Sequence, residues 1–510
     1  MTDAARRPET AEANPRIVIM GAGFSGIGAA IRLLKSGEDD FVILERAEEL
    51  GGTWRDNVYP GCRCDVPSHL YSYSFALNPG WHRTYADRDE IWAYLRATAE
   101  RFGVPAHIRW SHRVLDATWD DAQGWTVTTD RGVLHCQYLV SATGSLAEPS
   151  TPAIPGANRF AGTVMHSARW DTSHRFDGQR VAVIGTGASS VQIVPSIQPT
   201  VGHLSVFQRT PGWVLAHPVR PIRRFERILF GLFPPVQRLV RAITYWQREI
   251  VLVSAFTKYD GLRMVLERQV RRHLNAQVQD PELRAKLTPN YQLGCKRALP
   301  SSDFYPALTR PNVDLVTEPI ARIEPEGILT TDGELHRLDV IIFATGFLVS
   351  DNPIAEHIVG REGHRLSEAF TGDLACYLGT TFPHFPNFFM LTGPNTGTGH
   401  TSQIFMIESQ LNYLLDALDA LGDGTDVVAE VLPSVAEAFT DELQAKVKKT
   451  VWASGCSSWY LNAHGRNVTM WPDYTFSYRR QTRRFDPSDY VIGHRHDEPA
   501  RRSVRGVEVE

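Results

Sequence analysis

Gly21, Gly23 and Gly26 stand in the order GxGxxG directly after the apolar run Ile17 to Met20. Glycines so placed let backbone turn tightly, approach a pyrophosphate and pack a helix against a strand, with the helix N-terminus facing the phosphates. The next apolar run, FVILE, ends in Glu45, about 20 residues on, where a carboxylate can accept hydrogen bonds from ribose hydroxyls. Strand, loop, helix and acid predict a dinucleotide site suited to FAD. The order returns in RVAVIGTGASSVQIV, with Gly185 and Gly187 at the first two positions and Ser190 at the third. The strand after it, HLSVFQR, ends in Arg209, followed by Thr210 as a hydroxyl donor. An arginine there accommodates a 2′-phosphate, so this site is expected to take NADPH rather than NADH. A nicotinamide and a flavin on one chain predict hydride transfer between them.

Such loops work only between a parallel strand and a helix. The expected fold is therefore α/β, with two dinucleotide-binding (Rossmann-like) domains and a helical insertion. A chain of 510 residues is too long for one core. LVSATG and IIFATGF read as strands that return to the sheets where the chain crosses between domains. The expected divisions are a disordered tail over 1–15, the first part of an FAD domain over 16–149, an NADPH domain over 150–346, and the rest of the FAD domain with a C-terminal segment over 347–510. The insertion, about 221–290, mixes apolar positions with arginines. It reads as amphipathic helices packed by one face, with a membrane surface or a substrate entrance as other uses. Ahead of the second glycine loop, FAGTVMHSARWD follows a Pro/Gly-rich linker and reads as lying outside any helix or strand.

A net charge of −4 gives no reason to expect nucleic acid. No apolar run approaches the roughly 18 residues of a membrane helix. Six cysteines show no disulfide framework, which fits a reducing, cytoplasmic setting. Cys62 and Cys64 are too close for a metal pair or a redox CxxC, no His/Cys cluster has zinc spacing, and no metal is expected.

The stretch from Phe160 to Asp171 resembles the fingerprint of type I Baeyer–Villiger monooxygenases, within the class B flavoprotein monooxygenases: Phe160, Gly162, His166, Trp170 and Asp171 all match it. GGTW, YPGCRCD, the Lys296–Arg297 pair and GPNTGTGHTS extend the resemblance from near Arg16 to near Trp471. The resemblance implies an FAD- and NADPH-dependent monooxygenase. It would use a C4a-peroxyflavin to insert one oxygen atom of O2 next to a ketone carbonyl, giving an ester or lactone. It assigns Arg297 to the oxygen chemistry, Asp65 to orienting that arginine, and Lys296 to NADPH. It brings Thr53 and Trp54 near the flavin, makes Asn395 a donor toward it, and has Trp459 close over bound cofactor. His166 is expected in the hinge, with Trp170 packing there, rather than as a base. Alternatives are a class B enzyme oxygenating nitrogen or sulfur, so that a sulfide could also serve, and a flavin disulfide reductase.

Overall fold

The computed structural model describes residues 14–349, 352–456 and 458–495. Most of the expected tail, and Ser457 beside Trp459, lie outside them. Two five-stranded sheets, parallel throughout, form the scaffold. The first has the order Phe388–Met390, Tyr138–Ser141, Ile17–Met20, Phe41–Leu44, Ile108–Arg109. The second has the order Val313–Val316, His203–Phe207, Arg180–Ile184, Val340–Phe343, Thr163–His166. The inner strands Ile17–Met20 and Val340–Phe343 are buried at every residue. Helices covering both faces require such continuous apolar runs. The chain leaves the first sheet after Tyr138–Ser141, completes the second, and returns to the first at Phe388–Met390.

The glycine loops are built alike. Gly21 and Gly185 have φ of +102° and +112°, and a Cβ there would sit 2.9 Å and 2.6 Å from the carbonyl oxygens of Ala142 and Ala344. Those carbonyls belong to the two Ala-Thr-Gly segments, which pins each loop over its neighbouring strand. A Cβ on Gly26 would fall 1.9 Å from the Gly21 carbonyl oxygen, so only glycine lets the helix Phe24–Ser36 start so close to the turn.

Several expectations are corrected. FAGTVMHSARWD is not irregular: Thr163–His166 is an edge strand paired in parallel with Val340–Phe343. Four residues are too few for alternation to reveal a strand from sequence. The cysteines do include a disulfide, Cys295–Cys456, with Cα atoms 6.3 Å apart across 161 residues of chain; no spacing rule reaches that far. Cys62, Cys64, Cys136 and Cys376 are free and buried. Apart from these corrections, Glu362, His364 and His384 bring potential ligand atoms within 4.8 Å of one another, with His364 Nδ1 already against Glu368 Oε2 at 2.8 Å. The insertion is helical, running from Arg224–Leu232 through Pro234–Arg248 and Asp260–Gln277 to Pro281–Lys286. Helix Pro234–Arg248 packs inward by a mixed face, with Gln237 and Tyr245 buried and Val236 and Val240 against the core.

Candidate active site

One cavity of about 1570 Å³ is lined by both glycine loops. Gly21 and Gly23 stand on its wall, and helix Phe24–Ser36 has no side chain capping its first amides. Unsatisfied N–H groups at a helix start suit a pyrophosphate. Glu45 is buried at the end of its strand. One carboxylate oxygen accepts from the Ala22 amide at 2.8 Å; the other accepts from the Ala47 amide at 3.0 Å and Arg55 Nη1 at 2.9 Å. A carboxylate has about four acceptor positions, so the oxygen facing the loop retains one for a ribose hydroxyl. Gly51, Gly52, Thr53 and Trp54 close this end, with the Trp54 indole N–H donating to the Tyr71 hydroxyl at 3.0 Å. These groups fit FAD.

The second loop faces the same cavity. Gly185, Gly187, Arg209, Thr210 and Lys296 line it, and helix Ser190–Ile197 likewise lacks a side-chain cap. Arg209 is exposed. Burial, and then the positive charge of Arg209, lower the Lys296 ammonium below the ordinary lysine value. Two cations held close enough to repel each other at the end of the second strand fit a 2′-phosphate and hence NADPH. Ser190 is not on the wall; it is fully buried, and its neighbour Ser189 faces the cavity instead. A third-position residue packs the helix onto the strand, which explains the difference.

Between the loops lies the pair Arg297–Asp65. Arg297 Nε donates to one Asp65 oxygen at 2.8 Å and Nη2 to the other at 2.9 Å, and both residues line the cavity. Burial acts to raise the Asp65 carboxyl, but the charge and hydrogen bonds of Arg297, with Arg248 beyond, bring it below the usual carboxylate range. Asp65 in turn raises Arg297. A fork-on-carboxylate contact of this kind fixes the plane of the guanidinium, and with Nε and Nη2 engaged, Nη1 forms the edge away from Asp65.

Asn395 is not on the cavity wall. Its Nδ2 donates to the carbonyls of Asn467 at 2.9 Å and Met470 at 3.2 Å, so it secures the 467–470 segment, and Thr396 and Gln403 take the places on the wall. Phe160, Gly162, His166, Trp170 and Asp171 also lie off it. Phe160 packs beside the second sheet, and Gly162 leaves room for the Asp339 carbonyl. Trp170 packs on Phe176 with ring centroids 5.5 Å apart, and Asp171 accepts from the Ser173 amide at 2.9 Å. His166 sits where the two interdomain segments cross. Ser150 N–H donates to Gly346 O at 2.9 Å and Leu348 N–H to Glu148 O at 2.9 Å. The His166 ring lies edge-on to Phe347 and is lowered in pKa by burial, then by Arg169.

Sequence reasoning missed Gln192. From helix Ser190–Ile197 its Oε1 accepts from the Tyr59 hydroxyl at 3.1 Å, and its Nε2 donates to the Arg63 carbonyl at 3.0 Å. It thereby clamps the loop carrying Asp65 to the second nucleotide unit. A glutamine on a helix carries no signature that would reveal this. Cys62 and Cys64 are both buried, and burial raises their thiols, Cys62 to about 11. Neither is poised as a thiolate.

Two nucleotide loops opening on one cavity, with an acid at one and paired cations at the other, define a two-dinucleotide flavoprotein oxidoreductase. The family of pyridine nucleotide-disulphide oxidoreductases matches residues 18–218. A Baeyer–Villiger monooxygenase of Streptomyces coelicolor is 48% identical, covering 94% of this chain and 92% of that protein. One of Pseudomonas aeruginosa is 44% identical, covering 94% and 91%. Cyclohexanone monooxygenase from Rhodococcus sp. Phi1 bound to NADP+ superposes with a TM-score of 0.82 at 29% identity, covering 92% of this chain and 97% of that one. The chain belongs to the Baeyer–Villiger monooxygenase family of FAD- and NADPH-dependent flavoproteins.

Proposed function

We propose that this enzyme inserts one oxygen atom of O2 beside the carbonyl of a small-molecule ketone, with Arg297 as the fixed cation and Asp65 as the residue that positions it. The observation that carries this reading is the bidentate Arg297–Asp65 pair on the cavity wall between the two nucleotide loops. FAD held by the first loop, with NADPH and O2, would supply the oxidant. The chain supplies charge and geometry. Negative charge develops at the attacked carbonyl, and a guanidinium that cannot lose its proton stabilises it without reorganising. Asp65 holds the guanidinium plane, and Gln192 holds the loop that carries Asp65. Arg209 and Lys296 retain the 2′-phosphate.

The domain boundaries near 149 and 346 belong to this reading. The antiparallel contact of Pro149 with Phe347 supports them, as does the return of Phe388–Met390 to the first sheet. His166, packed on that crossing, is then a hinge residue. A cytoplasmic setting is also part of the proposal, resting on the NADPH replenished there, because the Cys295–Cys456 disulfide removes the cysteine argument for it; no described helix is long and apolar enough to cross a membrane.

The test is to supply the purified yellow holoenzyme with NADPH, O2 and a panel of ketones and sulfides. Ester or lactone formation is expected. Arg297→Ala should keep its flavin and lose about 10²–10³ in kcat, the usual cost of removing one such donor. Sulfoxide with no ester across the panel, or full ester formation by the variant, would overturn the reading.

A further inference from the structure

Helix Pro234–Arg248 is apolar on both faces. Its inner face sets Val236, Val240 and Tyr245 against the core, with Tyr245 stacked on Phe405, and its inward polar side chains are engaged as well. Gln237 Nε2 donates to the Asn78 carbonyl at 2.6 Å. Arg241 Nη1 donates to the carbonyls of His69, Leu70 and Ser72 at 2.8, 3.0 and 2.9 Å. Arg248 Nε donates to the His400 carbonyl at 2.7 Å. The outer face carries Leu239, Ile243 and Trp246, continuing to Ile250 in the next turn, at the spacing of a single helical stripe. Leu239 is 59% exposed and Ile250 57%. The preceding helix, Arg224–Leu232, adds Phe225 and Leu232 to the same solvent-facing set, and Phe233 joins the two helices; Leu232 is 69% exposed. A surface helix of a water-soluble protein ordinarily keeps its outer face polar. A concentration of exposed apolar side chains on this scale marks a surface that something else covers.

Charge identifies what covers it. Residues 220–272 hold twelve Lys and Arg against four Asp and Glu, a local charge of +8 in a chain whose net charge is −4. Of the four acids, Glu226 is paired with Arg220 and Glu249 is buried. Arg223, Arg224 and Arg238 are exposed beside the apolar stripe. A second copy of the chain meeting this face symmetrically would set its arginines against themselves. An anionic bilayer matches both properties: phosphates meet the arginines while the Leu, Ile, Phe and Trp side chains enter the headgroup boundary to about 5–10 Å.

We propose that the outer face of helices Arg224–Leu232 and Pro234–Arg248 docks this enzyme peripherally on an anionic lipid surface. The docking does not depend on the assignment of substrate, because no residue of the stripe belongs to the catalytic pair or to the nucleotide loops.

The test is co-sedimentation of the full-length holoenzyme with vesicles of phosphatidylcholine containing phosphatidylglycerol, and with phosphatidylcholine alone, at low and high salt. Binding is expected on the anionic vesicles at low salt. It should be about a hundredfold weaker on neutral vesicles, since three exposed arginines lose their partners. The double variant Leu239→Gln, Ile243→Gln should lose the binding while keeping its flavin, its melting temperature and its rate of NADPH oxidation in lipid-free solution. Arg223→Gln with Arg224→Gln should flatten the salt dependence. Failure to sediment with anionic vesicles overturns the proposal. So does equal binding of the double variant, and so does a lipid-free oligomer that this variant dissolves while vesicle binding is absent.

Discussion

At the scale of single residues, the site is a matter of where fixed charges stand. Arg297 and Asp65 lie 232 positions apart in sequence, and nothing in residue type or spacing couples them; only family resemblance drew attention to the pair. Glu45 and Arg209 were legible because each stands at a set distance after a glycine loop. Ser190 and Asn395 carried motif positions without reaching the cavity, because a motif fixes order along the chain while a wall is fixed by which side of the backbone faces inward. Arg209 makes a sharp prediction. It is exposed on the cavity wall, and its charge bears on Lys296; under the proposed function it meets the 2′-phosphate that distinguishes NADPH. Arg209→Ala should raise KM for NADPH by about tenfold or more, the cost of a lost charge-assisted contact of roughly 1.5–3 kcal/mol. The KM for NADH should barely change. Steady-state kinetics with both nucleotides measures this, and an equal loss with each would show that Arg209 serves the fold instead.

At the scale of elements, the two nucleotide units share one hydrophobic core and are joined by specific polar links. Gln192 joins the loop of Asp65 to the helix of the second nucleotide unit, and the disulfide Cys295–Cys456 ties the segment of Lys296 and Arg297 to the one that leads to Trp459. The glycine loops and their flanking strands could be read from sequence, since each is a local pattern of apolar run, turn and helix. The edge strand Thr163–His166 could not, because its partner arrives 177 residues later in register, Thr163 opposite Val340. His166 ends that strand and packs where the two interdomain segments cross. As the proposed hinge residue, it would bear on closure rather than on the oxygen chemistry. His166→Gln should therefore keep flavin bound and leave NADPH oxidation running, while more NADPH is consumed per ester formed. Measuring NADPH used against ester produced, with hydrogen peroxide assayed alongside, checks this. An unchanged ratio together with a falling rate of flavin reduction would place His166 in hydride transfer instead.

At the scale of the whole molecule, histidines held neutral by burial make stability fall as the pH is lowered from neutral. Burial pushes His69 down to about 4, outweighing the nearby carboxylate of Glu226, with Arg220 and Arg241 adding to the fall. His217 is likewise lowered to about 4 by burial, then by Arg63. His166 is lowered as well. In the unfolded chain these imidazoles titrate near 6.5. Between pH 6.5 and pH 4 the unfolded state therefore binds protons that the folded state refuses, and stability falls as pH falls. A shift of that size costs roughly 3 kcal/mol at pH 4 for His69, and less for the part-buried His217, which solvent screens. His69 lies edge-on against Phe230, with ring centroids 4.9 Å apart, and contacts Gln237 at 3.1 Å. Both partners come from the insertion, so protonation of His69 weakens the seam between the insertion and the first nucleotide unit. Urea unfolding of the holoenzyme at steps from pH 7 to pH 4 should show a midpoint that declines continuously below about 6.5. His69→Asn cannot titrate in this range and should flatten that decline, even if it lowers stability at neutral pH. The same slope in the variant and the parent would mean that His69 is not among the groups that set it.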